Sequence, residues 1–248
     1  MNTYQLHVDT GSSAIVTNSF AGFSGQAAVS KVSGNPFQCT VILGNRHRAI
    51  RSLTLKNVQM PVGWYNVRAP YNTMNVNSIS YTITPGNYSI TTLLAALNTT
   101  VTSSVGAFST GSLNNNIQFS SASGIATMNV QPLTLLSFMG FTDGQQGTAF
   151  YGTNSYIVNF DTYVRIWIEN LGTSSMEPSQ TTFKVPVTVG SGSIMHWLEN
   201  AQNSQTTIVT DRGVRLDRLN IQVLDRYGNI LSNSGIDWSF TLEIESDT

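Results

Sequence analysis

The sequence has a single cysteine, Cys39, among its 248 residues. One cysteine cannot form an internal disulfide, and it cannot supply the cysteine cluster of a structural zinc site. The chain also shows no basic-then-apolar leader, and no apolar run approaches the roughly 20 residues that a membrane-spanning helix needs. We therefore expect a protein without a membrane span that is made in a reducing, cytosolic compartment.

Charged residues are scarce as well. Asp, Glu, Lys and Arg make up 10% of the chain, against roughly 25% in ordinary soluble domains. Residues 69–142 contain none of them and no histidine. A soluble monomer normally distributes charge over its whole surface, so this stretch predicts a surface that contacts other protein. The alternative interpretation is a neutral, serine-rich sheet that faces water.

The charge balance also bears on the partners of the chain. The formal net charge of −1 argues against nucleic acid as the main partner, because phosphate binding needs clustered cations. One small basic cluster is present, and we interpret it as a solvated or salt-bridged strand end. Its members are Arg46, His47, Arg48, Arg51 and Lys56. Hydrophobic residues at 40% are enough to build a packed core, which excludes a disordered polymer.

Strict alternation of apolar and polar residues near the C terminus predicts a half-buried strand, because successive side chains of a strand point to opposite faces. The apolar positions are Trp238, Phe240, Leu242 and Ile244. A second strand follows the same rule through Leu219, Ile221 and Val223. Two strands that share one apolar face need a second layer to cover it.

Short segments of this kind recur along the chain. The further predicted strands are 37–43, 50–60, 76–83, 116–120, 125–130, 156–160, 163–169, 183–189 and 206–210. Within the second of these, Leu53, Leu55 and Asn57 are expected on one face. Ser89 is predicted to cap a helix over 90–97, and Pro132 to open a second short helix or turn. Because strands and helices do not alternate, we predict an all-β fold, a single jelly-roll β-sandwich with two short inserted helices.

The N-terminal residues differ in composition from the rest. Gly, Ser, Ala and Thr dominate residues 1–35, with too few apolar residues for a core but with Phe20 and Phe23 among them. We therefore predict an extended N-terminal arm over residues 1–35, which becomes ordered along a partner, and one jelly-roll domain over residues 36–248. Removal of residues 1–30 is expected to spare folding and to impair assembly.

The most suggestive catalytic motif is Asp9-Thr10-Gly11, which matches the loop that presents one carboxylate in aspartic proteases. That chemistry requires two such carboxylates that share a proton. No second copy of the motif is present, because Asp161-Thr162-Tyr163 lacks the glycine and Asp211-Arg212-Gly213 lacks the hydroxyl. We predict that the protein is not an enzyme and that it has no catalytic residue.

The remaining polar motifs favour structural interpretations. His7, His47 and His196 are far apart in sequence and match no metal-binding or nucleophile-activating pattern. His196 and Trp197 could line a sugar site, but their apolar neighbours Ile194 and Met195 indicate ordinary strand packing.

Three residues near the C terminus could in principle form a calcium site. Asp225, Asn229 and Asp237 carry side-chain oxygens of the kind that bind calcium. In a segment this rich in turn residues, Asp and Asn more often shape the turn itself. We therefore predict no metal site, no cofactor-binding site and no cofactor.

Three local patterns together carry a family resemblance. They are Ile83-Thr84-Pro85-Gly86-Asn87-Tyr88, Leu135-Leu136-Ser137-Phe138-Met139-Gly140-Phe141, and the terminal set Leu219-Asn220-Ile221-Gln222-Val223, Tyr227-Gly228-Asn229 and Asp237-Trp238-Ser239-Phe240-Thr241-Leu242. In these the chain resembles the single jelly-roll penton (vertex) proteins of tailless icosahedral double-stranded DNA viruses, a group that includes nucleocytoplasmic large DNA viruses, virophages and polinton-like relatives. The resemblance covers about residues 80–245. Major and minor capsid proteins share similar pieces, and the length favours the penton protein.

The resemblance implies a viral capsid protein that is made in the host cytoplasm and resides in the virion shell. It implies homopentamers at the five-fold vertices, with contacts to trimers of the major capsid protein and to other minor capsid or spike proteins. The uncharged middle of the chain suits heterologous contacts of this kind. The alternatives are a minor or cement capsid protein and a jelly-roll spike that binds a receptor or a glycan.

Overall fold

The computed structural model describes residues 2–11, 17–18, 28–111, 115–171, 182–199 and 207–246. Within these ranges the chain forms sixteen strands, two α-helices and one 3-10 turn over Glu169–Leu171. In chain order they are β1 (Asn2–Asp9), β2 (Thr17–Asn18), β3 (Ala28–Val32), β4 (Asn35–Pro61), β5 (Thr73–Val76), β6 (Ile79–Thr82), α1 (Ile90–Val101), β7 (Gly106–Thr110), β8 (Ile117–Ser121), β9 (Ala126–Thr127), α2 (Leu135–Phe138), β10 (Gln146–Gly147), β11 (Ala149–Tyr151), β12 (Tyr163–Ile168), β13 (Thr182–Pro186), β14 (Ile194–Leu198), β15 (Thr207–Leu224) and β16 (Ser239–Ser246).

The chain divides into two compact units. Residues 1–64 and 161–248 form the first, which we call the sandwich unit, and residues 65–160 form the second, which we call the inserted unit. The sequence predicts a single domain there, although the charge-free stretch over residues 69–142 lies within the inserted unit. The predicted boundary at residue 35 stays a prediction.

Two long strands, β4 with 27 residues and β15 with 18, each contribute to both sheets of the sandwich unit. In the first sheet, which we call the β12 sheet, residues 35–43 of β4 lie between β3 and the end of β15, and β12 and β13 follow. In the second, β16 lies on one side of residues 50–59 of β4, and β1 and β2 follow it. On the other side, β14 pairs with residues 57–61 and the start of β15 with residues 52–54. All these pairings are antiparallel. The sequence predicts the two halves of each long strand as separate strands.

The point where β4 passes between the sheets coincides with irregular pairing. The register between β15 and β4 shifts three times between Val209 and Arg218. Such bulges bend a strand and increase its twist, so the backbone can turn from one sheet into the other without leaving the extended conformation. Residues 44–49, which the sequence analysis leaves between two predicted strands, therefore lie inside a continuous strand.

The apolar positions predicted for the C-terminal strands are confirmed. The side chains of Trp238, Phe240, Leu242, Ile244, Leu219, Ile221 and Val223 are all buried in one hydrophobic core shared by both sheets. A bulge changes the pattern in β4, where Asn57 pairs with Thr241 but Leu55 pairs with Leu242. The extra residue, Lys56, moves the core face to Val58, so the expectation for Asn57 is wrong.

Residues 2–9, which the sequence assigns to the arm, form β1 and pair along their whole length with β16. The side chains of Leu6 and Val8 are buried in the core of the sandwich unit. In the sequence Tyr4, Leu6 and Val8 alternate, but three such residues are too short a pattern to distinguish a core strand from an arm. Residues 2–9 are therefore a strand of the sandwich, and the expectation that removal of residues 1–30 spares folding no longer holds. Residues 12–16 and 19–27 of the predicted arm lie outside the described residues.

The inserted unit begins with a hairpin, β5–β6, where the sequence predicts one strand over 76–83. The two turn residues, Asn77 and Ser78, have φ angles of 53° and 62°, which is the backbone of the tight turns that match the strand twist. Asn77 accepts a hydrogen bond from Thr127 N at 2.8 Å, and Asn129 accepts one from Ser78 N at 3.0 Å. These contacts hold a turn that the sequence alone does not mark with glycine.

The predicted cap of α1 is confirmed. Ser89 Oγ accepts from Thr92 N at 3.2 Å, while Thr92 Oγ1 accepts from Ser89 N at 2.9 Å. This reciprocal pair satisfies two backbone donors that a helix start leaves unpaired. Leu93, Leu94 and Leu97 are buried as predicted, and the helix extends four residues beyond the predicted end. Neither helix of the described part is long and apolar enough to cross a membrane.

Aromatic rings form much of the core of the inserted unit. Phe108 and Phe119 lie on the paired strands β7 and β8 with ring centroids 4.8 Å apart. Phe138 of α2 stacks on Phe160 at 3.9 Å, and Tyr71 meets Phe138 edge-on at 5.8 Å. The predicted strand over 156–160 is absent from this part of the described chain, because Phe160 packs from irregular backbone.

Gly140 closes α2 and gives a test of packing in the inserted unit. Its φ is +86°, and a Cβ there would lie 2.0 Å from Asn154 O. We expect Gly140→Ala to lower the free energy of unfolding by roughly 2–3 kcal/mol, since strain at positive φ adds to a backbone clash. Gly144→Ala is the matched control, because Gly144 has φ of +74° and open space around its Cβ. Equal thermal stability of the two variants would contradict the clash.

Candidate functional site

The Asp9-Thr10-Gly11 motif closes one end of the β1–β16 ladder. Thr10 N donates to Trp238 O at 3.0 Å, and Thr10 Oγ1 accepts from Trp238 N at 3.0 Å. Asp9 Oδ1 accepts from Gly11 N at 2.8 Å, which is the contact of an Asx turn. The three motif residues therefore serve backbone pairing and the turn that follows β1.

Asp237 is the carboxylate that the fold brings to this turn. It accepts a hydrogen bond from Thr10 Oγ1 at 2.9 Å and lies 2.5 Å from Lys31 Nζ. The hydrogen bond from Lys31 lowers the pKa of Asp237. Two carboxylates that share a proton need one raised pKa, and a lysine paired with Asp237 has the opposite effect. The geometry therefore gives no support to a protease.

Asp225 and Asn229 shape the loop between β15 and β16. Asp225 is buried, and its Oδ1 accepts from Tyr227 N at 2.8 Å and from Asn229 N at 2.9 Å. The interpretation of these residues as turn-forming is confirmed. In the part of the chain that the structure describes, no group of three or more His, Cys, Asp or Glu side chains could hold a metal ion.

The histidines that the structure describes are not brought together. His7 on β1 contacts Thr241 with Nδ1 and Oγ1 3.1 Å apart, and His196 lies on β14, with β4 and β16 between β14 and β1. The side chain of His47 lies outside the described residues. Trp197 is buried in the core, as strand packing predicts, whereas His196 is exposed on the opposite face of β14.

The predicted basic cluster is described only in part, since the side chains of residues 46–48 lie outside the described residues. Lys56 lies between two carboxylates, with Nζ 2.8 Å from Glu199 Oε2 and 3.0 Å from Glu243 Oε1. The hydrogen bond that Lys56 donates to Glu199, followed by the one to Glu243, raises the pKa of Lys56 above its usual value. Lys56 is thus salt-bridged, as the sequence analysis proposes.

Cys39 faces the core from β4 and is buried. Burial raises the pKa of its thiol to about 12, and the thiolate is the reactive form of cysteine. We expect the folded protein to react with a thiol reagent such as iodoacetamide at neutral pH only through unfolding, so that labelling follows the denaturation curve. Rapid, complete labelling of the native protein, measured by mass spectrometry, would show that Cys39 is exposed.

The inserted unit presents an almost uncharged surface. Arg68 and Asp143 are its only Asp, Glu, Lys, Arg or His residues. Arg68 donates to Tyr65 O at 2.8 Å, and Asp143 accepts from Val130 N at 2.9 Å. Large apolar side chains are exposed on the same unit, namely those of Tyr65, Ile79, Ile125, Leu133, Tyr151 and Ile157. Few charges together with exposed apolar side chains are typical of the centre of a protein–protein interface.

No family model matches the chain, and no curated protein matches it in sequence. A solved structure with a similar fold is that of the selenomethionine-labelled penton protein of mavirus. The TM-score is 0.52 at 8% sequence identity, and the match covers 100% of this chain and 100% of that chain. The fold is an all-β jelly roll. At this identity the likeness is one of fold.

Proposed function

We propose that this chain is a structural protein of a viral capsid and that it acts as the penton protein. Five copies surround each five-fold vertex and contact trimers of the major capsid protein and other minor capsid or spike proteins. The observation that carries the proposal is the full-length likeness to the mavirus penton protein, which covers 100% of both chains. A match confined to the sandwich would fit many jelly rolls, whereas this one also includes the inserted unit.

The surface of the inserted unit supports an assembly role. A ring of identical subunits needs two different patches on each subunit that fit one another. Uncharged patches with exposed apolar side chains can be buried between neighbours without the desolvation of charge. The same surface would lower the solubility of a solitary molecule. The protein then resides in the virion shell after its synthesis in the host cytoplasm, and it carries no catalytic activity.

The oligomeric state tests this proposal. We expect the purified full chain to form pentameric rings in sedimentation velocity and in negative-stain electron microscopy. Because assembly of a vertex can need its neighbours, the second measurement is a reconstruction of virions, in which the chain should occupy the five-fold positions. Density for this chain at other positions would contradict the penton assignment and favour a cement role. A trimer that projects from the shell would favour a spike.

A charge placed on the inserted unit should weaken the pentamer. Ile125 is 68% exposed on this unit, and we expect Ile125→Lys to shift the protein towards monomers by roughly tenfold in the association constant, since a buried unpaired charge is costly. The matched control is Ile230→Lys, because Ile230 is 48% exposed in a loop that already carries Asp225 and Arg226. Equal pentamer fractions for the two variants in sedimentation velocity would exclude Ile125 from the contact.

A further inference from the structure

Two cations flank one tyrosine on the outer face of the β12 sheet. Lys184 Nζ lies 4.2 Å from the centre of the Tyr163 ring, and Arg165 donates to the Tyr163 hydroxyl at 3.4 Å. The hydrogen bond from Arg165 outweighs the desolvation of the phenol and, with the charges of Lys184 and Arg226, lowers the pKa of Tyr163. The chain has 12 Lys and Arg residues in all, so two of them at one phenol are a local concentration of positive charge.

The strand register places two of these cations directly opposite one another. Arg165 on β12 pairs with Lys184 on β13, and like charges at opposed positions destabilise a sheet. The carboxylates of Asp161 and Asp225 act on the neighbouring Tyr227, but both residues are buried. An anion bound at the surface between Arg165 and Lys184 would remove the repulsion and would accept charge-assisted hydrogen bonds from both.

The same face continues into an aromatic side chain and a polar groove. Trp167 is half-buried, points the same way as Arg165, and lies opposite Gln222 of β15. Next to it, a groove of about 280 Å³ extends over β15 and β4. Its lining includes Gln38, Thr40, Asn220 and Gln222, with Lys31 and Glu169 also contributing. Amide and hydroxyl groups both donate and accept hydrogen bonds, which suits a ligand rich in hydroxyls.

We propose that this face binds an anionic glycan, with a carboxylate or sulfate between Arg165 and Lys184 and a sugar ring against Trp167. The neighbouring hydroxyls then lie in the amide-lined groove. Glu169 lines that groove and disfavours a second anionic group there, so the ligand that fits best carries its charge on one end, as a terminal acidic sugar does. The inference does not depend on the capsid role.

An acidic peptide is the competing ligand, and the strand pairing disfavours it. β12 is paired with β13 on one side and with β15 on the other, so a peptide cannot add to it as a further strand. Recognition at this face must use side chains alone. A side-chain surface that combines an aromatic ring with several amides and hydroxyls matches the alternating apolar and polar faces of a sugar better than a run of carboxylates.

Binding to the full chain at physiological salt tests the proposal by isothermal titration. The probes are sialyllactose, a heparin-derived tetrasaccharide, neutral lactose and hexaglutamate. We expect one of the two anionic sugars to bind, with Arg165→Gln, Lys184→Gln and Trp167→Ala each weakening it by about tenfold or more. The Trp167 variant distinguishes specific recognition of the sugar ring from nonspecific electrostatic binding. Thermal melting verifies that each variant is folded.

Arg218→Gln is the matched control, because it removes one positive charge from an exposed residue that pairs with Asp217. Arg218 lies about 20 Å along β15 from Leu224, the residue opposite Arg165, although it is two residues from Asn220 of the groove. Its replacement should therefore weaken binding far less than Arg165→Gln. Binding of sialyllactose would identify a carboxylate as the preferred group, and binding of the heparin-derived tetrasaccharide would identify a sulfate. Binding of neither sugar at about 1 mM, equal binding of hexaglutamate or lactose, or an equal loss with Arg218→Gln would overturn the proposal.

Discussion

Replacing Trp238 by alanine is expected to lower the free energy of unfolding by about 3–5 kcal/mol, as for other buried aromatic residues. The Trp238 ring stacks on Phe240 with centroids 4.7 Å apart and meets Phe37 edge-on at 5.8 Å. Its indole nitrogen donates to Pro36 O at 2.9 Å. The substitution therefore removes apolar contacts between the sheets and leaves a buried carbonyl unpaired. Urea denaturation followed by circular dichroism measures the change.

Trp238→Phe separates the two contributions. Phenylalanine keeps a ring against Phe240 and Phe37 but cannot donate to Pro36 O, so we expect a loss of about 1–3 kcal/mol, the range for an unsatisfied buried polar group. In thermal melting the alanine variant should lose on the order of 10 °C and the phenylalanine variant clearly less. An alanine variant that melts with the native protein would show that Trp238 does not contribute to the core.

Removal of residues 1–9 is expected to prevent the formation of a stable, soluble protein. The deletion removes Leu6 and Val8, which are buried in the core, and the loss of two such side chains costs about 3–6 kcal/mol. It also leaves the edge of β16 without its partner strand, and unpaired edges promote aggregation. The soluble yield and the melting temperature of the truncated chain measure the effect.

Single substitutions in β1 show whether the strand itself is responsible. Leu6→Ala should lower the free energy of unfolding by about 2–4 kcal/mol. Gln5→Ala should change it by less than about 0.5 kcal/mol, because Gln5 is exposed on the same strand. If the chain without residues 1–9 folds and melts like the full chain, β1 is an arm that the core does not need.

Where the sequence predicts the fold well, the prediction rests on side-chain alternation over several residues. The pattern from Trp238 to Ile244 identifies β16 and its buried face, because only one register buries four apolar side chains together. The cap at Ser89 is equally local, since a hydroxyl before an apolar helical repeat satisfies the helix start wherever it lies in the fold. Features of this kind depend on neighbours in the sequence and need no knowledge of the tertiary structure.

Where the sequence fails, the deciding interaction is non-local. Asn77 and Ser78 form a turn because partners about 50 residues later in the chain hold them. The bulge at Lys56 depends on the register with β16, and the continuity of β4 through Gly44-Asn45 depends on β15. The residues of the turn, the bulge and the continuous strand do not themselves determine these features. Side-chain periodicity alone therefore assigns these residues to the wrong element.

The candidate sites show the same division. The absence of a second Asp-Thr-Gly motif and the turn role of Asp225 follow from local sequence. The cation cluster cannot be predicted from local sequence in this way, although Tyr163, Arg165 and Trp167 alternate along one strand. Lys184 belongs to it only because β13 pairs with β12 in that register. Alternation identifies which residues of a strand share a face. The neighbouring strand that completes a site is known only from the strand pairing in the structure.

One hydrogen bond joins the two points at which the chain leaves and re-enters the sandwich unit. Trp64 Nε1 donates to the buried Asp161 Oδ2 at 3.1 Å, so the chain leaves the sandwich and re-enters it at adjacent points. The entropic cost of closing a loop grows only slowly with its length. The sandwich unit can therefore accept an intervening segment of almost any length between these two points at little cost in folding free energy.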